Sequence, residues 1–322
     1  MPLFEDDTDI DGVIPYYGKY RAFFSTMKRL REFAPQLAVV LHGNDPDIMP
    51  FVHLAGSEYI LRVPTRGTRY TFLLANRDRA EDATTVEGAH YVENRLRVLD
   101  TLGINSTHRA PRIHLPDAII RAGSDKLAPY LRQSSQPEGA APKNELPLRP
   151  QNHDSGESRL QQSQKRAYWV LYPCAADPYK NWPLQACAEL IRQARLAFPE
   201  HDVVVTGISS DRPWLLQAIA GFENVHVLAG ELSLLETAAV LAGASCVVAP
   251  DTGILHLAAA LDRPVVGLYA PTSAKLVGPR ARASTPITLQ KNRTCDPCLE
   301  KQCPYTPRHC MNQIKEIGRA HV

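Results

Sequence analysis

The chain has 322 residues, enough for one large domain or two ordinary ones. Hydrophobic residues make up 44% and charged residues 22%, a globular composition that excludes wholesale disorder. Thirty-six Lys and Arg against 34 Asp and Glu leave a net charge of +2, so no nucleic-acid footprint follows and no nucleic-acid partner is expected. The uncharged stretch Thr237–Pro250 falls well short of the roughly 20 residues of a bilayer span. The first residues (FEDDTDID) are acidic where an export signal would be basic and then apolar. A cytoplasmic chain is expected.

In chain order, the first half offers helical patterns over Tyr20–Phe33, Gly88–Leu102 and Pro116–Leu131. Leu37–Leu41 (LAVVL) and Tyr59–Val63 (YILRV) read as strands, and Arg112–Leu115 (RIHL) as a weaker third. These elements predict an α/β domain with too few strands for a full doubly wound sheet, and with no glycine-rich strand–loop–helix at its start. A segment from Gln133 to Arg166 is rich in Gln, Ser, Pro and charge and reads as a linker or flexible insertion.

The second half alternates regularly. Ala167–Pro173, Asp202–Thr206, Val225–Leu228, Ser245–Ala249 and Pro264–Tyr269 are short apolar, β-branched or aromatic runs. Between them lie helical patterns at Leu184–Leu196, Pro213–Ile219, Leu234–Leu241 and Gly253–Leu261. Nearly continuous apolar strands separated by helices predict a parallel sheet covered on both faces, which binds ligands at the carboxyl ends of its strands.

Two strand-end loops carry the chemistry. In VVAPDTGILHLAAALDRPVVGLYAPT (Val247–Thr272), a buried strand runs into Asp251 and Thr252, residues suited to an N-cap, then Gly253 and a helix. The free N–H groups and positive dipole end of such a helix form an anion site, with the Thr252 and Gly253 backbone and the Thr252 hydroxyl on a pyrophosphate. The Asp251 carboxylate would repel phosphate and is better suited to sugar hydroxyls. His256, four residues after Thr252, shares its helical face. Spacing alone leaves open whether Asp251 only caps and whether His256 is a core histidine. The loop Cys174–Trp182 (CAADPYKNW) follows another strand; Lys180 is its one cation, suited to the charge that builds on a leaving nucleotide. The alternative is an ordinary exposed lysine.

Asp251-Thr252-Gly253-x-x-His256-x-Ala258-Ala259-Ala260-Leu261, Pro264, Leu268-Tyr269-x-Pro271-Thr272 and Gly278-Pro279 together resemble the signature of glycosyltransferase family 9, the ADP-heptose:lipopolysaccharide heptosyltransferases. Lys180-x-Trp182-Pro183, Leu232-Ser233-Leu234 and Leu241-Ala242-Gly243-Ala244 are similar to further motifs of that family. The first half is similar more loosely, at Asp11–Ile14, LAVVLHGND, Leu54–Gly56 and His90-x-Val92-Glu93. The resemblance implies a GT-B fold, two Rossmann-like domains facing across a cleft, the N-terminal one incomplete here. The expected division is 1–132 acceptor side, 133–166 linker, 167–290 donor side, 291–315 cysteine-rich tail and 316–322 a non-native tail. That last stretch (EIGRAHV) resembles translated sequencing adapter, so His321 is given no role.

What the resemblance implies for activity is inverting transfer of heptose from an ADP-sugar donor, ADP-heptose, to a hydroxyl of a lipid A-core acceptor, with no cofactor and with peripheral contact at the cytoplasmic face of the inner membrane. Lys180 is the implied catalytic group, and Asp251, Thr252, Gly253, His256, Ser209 and Leu232 the implied donor contacts. His42, Asn44 and Asp45, at the end of a first-half strand, are acceptor-side candidates. The family's general base is an Asp in its first glycine-rich loop; no position matches it, and Asp6, Asp7, Asp9 and Asp11 lack that context. The sequence reads as starting after that loop, with little transfer expected of it as given. Two further departures are Ala175 and Ala176, where relatives carry hydroxyls, and Ser209, where an acidic ribose contact is expected and which Asp211 would replace. A transferase with another sugar nucleotide or a protein acceptor, and a binding remnant without turnover, are the alternatives.

Cys295, Cys298, Cys303 and Cys310 crowd the tail, and their Cys-x2-Cys start has ligand chemistry for zinc or iron. The tight later spacings equally suit reduced thiols in a turn-rich loop, as do the scattered Cys174, Cys187 and Cys246 in apolar segments. Asp45-Pro46-Asp47 and Asp7-Thr8-Asp9 match the DxD pattern of metal-dependent transferases, a triplet that arises easily by chance. No G-x-S-x-G, Walker A or G-x-G-x-x-G sequence is present, against hydrolase, NTPase and dehydrogenase readings.

Overall fold

A computed structural model describes residues 2–4, 7, 9–16, 22–41, 48–62, 70–76, 88–100, 102–105, 107–131, 167–291, 303 and 309–314. The expected linker, most of the cysteine-rich tail and the last seven residues lie outside the described residues.

The first half begins with α1 (Phe23–Phe33), β1 (Leu37–Val40), α2 (Ile48–Leu54) and β2 (Tyr59–Arg62). β1 and β2 pair in parallel, Leu37 opposite Tyr59, as a two-stranded sheet. α2 is absent from the sequence reading because Pro50 obscures it. Proline is tolerated in a first helical turn, where its missing N–H would have no acceptor anyway, and Met49 and Phe51 bury on either side of it. α3 (Tyr91–Asp100) and α4 (Asp117–Leu127) follow. The expected strand Arg112–Leu115 does not form. Bracketed by Pro111 and Pro116, it runs along the second half, where Ile113 N–H donates to the Ala260 carbonyl at 3.1 Å. That carbonyl closes a helix, so no ladder can propagate from it.

The second half contains β3 (Tyr168–Leu171), α5 (Leu184–Ala197), β4 (Asp202–Val205), α6 (Arg212–Ala218), β5 (Val225–Val227) and α7 (Leu234–Ala242). It continues with β6 (Val247–Pro250), α8 (Gly253–Ala260), β7 (Val265–Tyr269), α9 (Ala274–Val277), β8 (Ile287–Gln290) and α10 (His309–Asn312). One six-stranded, all-parallel sheet results, in the order β5-β4-β3-β6-β7-β8. Numbered within this half, the order is 3-2-1-4-5-6, the doubly wound arrangement whose strand direction of travel reverses between β3 and β6. β8 escaped the sequence reading because it is an edge strand with mostly exposed side chains, and so lacks the apolar run that marks the others.

The strands' apolar continuity has a direct cause. Val170, Val204, Val247 and Ala249 enter the core on one face, while Trp169, Leu171, Val203, Val205 and Val248 enter the core on the other. Side chains alternate across a strand, and both faces are covered, so every position is apolar.

α4, which the sequence reading groups with the first half, packs on α7 of the second. Lys126 pairs with Glu236 at 3.5 Å, and the Tyr130 hydroxyl donates to Glu231 Oε2 at 2.8 Å. Glu236 also completes a capping box with Ser233 at the start of α7. A Cβ on Gly123 would overlap the Ala239 methyl group. In an isolated helix Gly→Ala stabilises by about 1 kcal/mol. Gly123→Ala is expected to do the opposite here, destabilising by about 1–3 kcal/mol through overpacking, visible as a lower urea midpoint. An unchanged or raised midpoint would show that α4 and α7 separate at no cost.

Candidate functional site

The crevice outside β3 and β6 lies where the two windings of the sheet diverge, and the two loops singled out in the sequence meet there. β6 ends at Pro250, and the Asp251 N–H is held by the Leu268 carbonyl of β7 at 3.3 Å. Thr252 then takes an extended conformation (φ −144°, ψ 163°) at the N-cap of α8. Its side chain makes no capping bond, and Oγ1 is buried with no hydrogen-bond partner. Neither Asp251 nor Thr252 therefore caps the helix through its side chain, contrary to what their residue types suggest. A Cβ placed on Gly253 would meet nothing within 4 Å, so the start of α8 is open.

The β3 loop is fixed by its own backbone. Lys180 ends a 3-10 turn, Pro178–Lys180, with its N–H on the Asp177 carbonyl. Asn181 Oδ1 accepts from the Ala175 N–H at 2.8 Å. The Trp182 N–H returns to the Pro173 carbonyl at 2.9 Å, and its indole donates to the Ile314 carbonyl at 3.0 Å. Trp182 is 1% exposed, in one core with Met311 and Ile314. Trp182→Phe keeps most of that packing but leaves the Ile314 carbonyl without its donor, a loss expected to cost about 1–3 kcal/mol. Chemical denaturation checks this, and an unchanged midpoint would mean that the indole N–H contributes nothing.

Together these loops place Lys180 Nζ 2.9 Å from Asp251 Oδ2, with side-chain exposures of 16% and 12%. His256 Nε2 stands 3.6 Å from the other oxygen, Oδ1. Lys180 is thus neither exposed nor alone, and the His256 side chain, 41% exposed, is not a core histidine. Burial pushes the Asp251 carboxyl up, but His256 and Lys180 outweigh it and hold the group at about 2.

These residues line one side of a cleft of about 730 Å³. Tyr172, Ala175, Ala176 and Asp177 add to the β3 side, while Leu3, Pro111 and Ile113 close it from the first half. None of Leu3, Pro111, Ile113 or Tyr172 was singled out from the sequence, since each lines the cleft only because distant segments fold together. The first half is clasped nearby. His90 Nδ1 accepts the Val92 N–H at 3.1 Å and Nε2 lies 2.9 Å from the Gly278 carbonyl, so Nε2 carries the proton. Glu93 pairs with both Arg109 and Arg280, each at 3.2 Å.

Other candidates fall elsewhere. Ser209 opens a 3-10 turn after β4 and packs against Gly230, whose φ of +77° and lack of a side chain permit that approach. Asp211 bends back to accept the Ile208 N–H at 3.0 Å. Neither these nor Leu232 lines the cleft. His42, Asn44, Asp45, Cys295 and Cys298 lie outside the described residues. Among the described residues no group of three or more His, Cys, Asp or Glu could hold a metal ion. No helix among them is long and apolar enough to cross a membrane.

This combination defines a doubly wound α/β protein whose crevice joins an open helix start to a half-buried lysine–aspartate pair. The chain belongs to glycosyltransferase family 9 (heptosyltransferase), whose family model matches residues 131–309. It is 44% identical over 113 residues to lipopolysaccharide heptosyltransferase 1 of Pseudomonas aeruginosa, covering 35% of this chain and 31% of that protein. Against lipopolysaccharide heptosyltransferase 2 of Salmonella typhimurium it is 30% identical over 152 residues, 44% of this chain and 43% of that one. The match thus spans about a third to two fifths of these curated relatives. Among solved structures, a family 9 glycosyltransferase from Veillonella parvula superposes with TM-score 0.64 at 16% identity, covering 90% of this chain and 74% of that one. The E. coli heptosyltransferase WaaC with ADP gives TM-score 0.58 at 21% identity, covering 87% and 78%. The fold is the GT-B type that the family resemblance implied.

Proposed function

We propose that this protein acts in heptosyl transfer, taking ADP-heptose as donor and delivering the heptose, with inversion, to a hydroxyl of the lipopolysaccharide inner core. The observation that carries the reading is the Lys180–Asp251 pair beside the open start of α8, at the switch point of a family 9 sheet. The Thr252 and Gly253 backbone N–H groups and the unpartnered Thr252 hydroxyl take the diphosphate. The Lys180 ammonium stabilises negative charge on the departing ADP. Asp251, ionised at any physiological pH, accepts from sugar hydroxyls. No metal is needed in this scheme, because Lys180 and the helix dipole supply the positive potential; zinc or iron at the tail cysteines would be structural and is tested by metal analysis. The acceptor is lipid-linked, so the protein works at the cytoplasmic face of the inner membrane and touches it only peripherally.

Inverting attack also needs a base for the acceptor hydroxyl. No carboxylate in this sequence has the strand–Gly–Asp–helix context expected of one. That favours a second reading, donor binding without turnover, for the 322-residue chain itself. Calorimetry with ADP-heptose, other ADP-sugars and UDP-sugars tests the donor, and a transfer assay on a lipid A-core acceptor tests turnover. Preference for a UDP-sugar would overturn the donor assignment, and appreciable transfer by this chain would overturn the second reading.

A further inference from the structure

The two oxygens of Asp251 face different groups: Oδ2 accepts from Lys180 Nζ at 2.9 Å, and His256 Nε2 stands 3.6 Å from Oδ1. Lys180 and Asp251 cancel in charge, whereas a sugar nucleotide diphosphate brings two further negative charges to the start of α8. Those charges draw the Lys180 ammonium towards the phosphates and oppose leaving the Asp251 carboxylate uncompensated at 12% exposure. Something must neutralise the added charge.

The candidates can be sorted by position. His90 faces His256 electrostatically, together with Arg280 and Glu93, but both its ring nitrogens are engaged. Adding a proton at Nδ1 would break the bond from the Val92 N–H that starts α3. The Tyr269 phenol, which faces Asp251, keeps its proton because burial and that carboxylate both push its pKa up. Asp177 also lines the cleft, but an acidic side chain cannot supply the positive charge that is needed. His256 sits one helical turn beyond Thr252, is reachable from solvent, and carries an imidazole, a base that can accept a proton and become a cation beside Asp251.

We propose that donor binding is coupled to uptake of a proton by His256, whose imidazolium then holds Asp251 Oδ1 while Lys180 turns to the diphosphate. The proton comes from solvent, and no covalent bond forms or breaks. His256 is on this view a positioning residue: it keeps Asp251 ionised and in place for the sugar after its lysine partner has been recruited elsewhere. The inference rests on the ADP-sugar donor reading above.

The test is calorimetric titration of this chain with ADP-heptose at pH 8, in HEPES and in Tris, whose ionisation enthalpies differ. Both phosphates of that ligand are esterified, so the ligand itself takes up no proton near neutral pH. The expected wild-type result is a buffer-dependent enthalpy corresponding to uptake of about half to one proton at pH 8, with affinity falling about threefold to tenfold per pH unit around that pH and levelling off well above it. In His256→Gln, which keeps a polar group at a part-exposed position, both the buffer dependence and the pH slope are expected to vanish. Binding with no buffer dependence in the wild type overturns the inference and leaves the donor reading intact. Buffer dependence that persists in His256→Gln overturns it as well, by placing the proton elsewhere. No binding at all overturns the donor reading and the inference with it.

Discussion

If Lys180 stabilises the departing ADP as proposed, Lys180→Ala is expected to lower kcat for heptosyl transfer more than tenfold, with a smaller effect on KM. The ammonium matters most as ADP departs, because charge on the leaving group is greatest in the transition state. The same change is expected to weaken ADP-heptose binding about tenfold, a loss of about 1.4 kcal/mol. It also leaves Asp251 without the partner that lies 2.9 Å away, so lower thermal stability accompanies the kinetic defect. Lys180→Arg is the informative control: it keeps the charge but not the compact point-charge geometry, and should restore stability more than turnover. Unchanged kcat in Lys180→Ala would remove the lysine from the mechanism.

Asp251→Asn is expected to weaken binding of ADP-heptose more than binding of ADP, because only the sugar nucleotide carries the transferred sugar whose hydroxyls the carboxylate is proposed to accept from. Removing the charge also frees Lys180 for the phosphates, which offsets part of any loss for ADP. Equal losses for both ligands would reduce Asp251 to the role of holding Lys180. The substitution carries a signature in stability as well. The Asp251 carboxyl sits at about 2 against an ordinary 3.8, so it favours the folded state wherever it is ionised. That contribution is fully present above pH about 4 and disappears as pH falls towards 2, amounting to about 2 kcal/mol at neutral pH. The asparagine variant should therefore be less stable at pH 7 and lose less between pH 4 and 2. A parallel acid limb in both proteins would show that Asp251 is not held below its ordinary range.

The strand-end loops of the second half were readable because their signals are local. Val247–Pro250 is an apolar strand, Gly253–Ala260 an apolar helix, and the residues between them can only be a strand-end loop. The roles of the residues in that loop were less readable. Asp and Thr before a helix suggest capping by type, yet the Thr252 hydroxyl makes no cap and Asp251 is committed to a lysine 71 residues away. Residue type records what a side chain can bond, not which distant partner the fold will bring to it. The first half was read less well for a related reason: Arg112–Leu115 has strand composition but no neighbouring strand, and α2 hides behind Pro50.

The amino-acid order by itself determined the covered parallel sheet, through runs of apolar residues that must be buried on both faces, and the helix starts at its strand ends. Only the tertiary structure decided that β3 and β6, with β4 and β5 between them in the chain, lie side by side. That adjacency puts Lys180 on Asp251, because hydrogen-bonded strands stand only about 5 Å apart and carry their end loops with them. Such pairing depends on how whole layers pack, and no local stretch of residues encodes it.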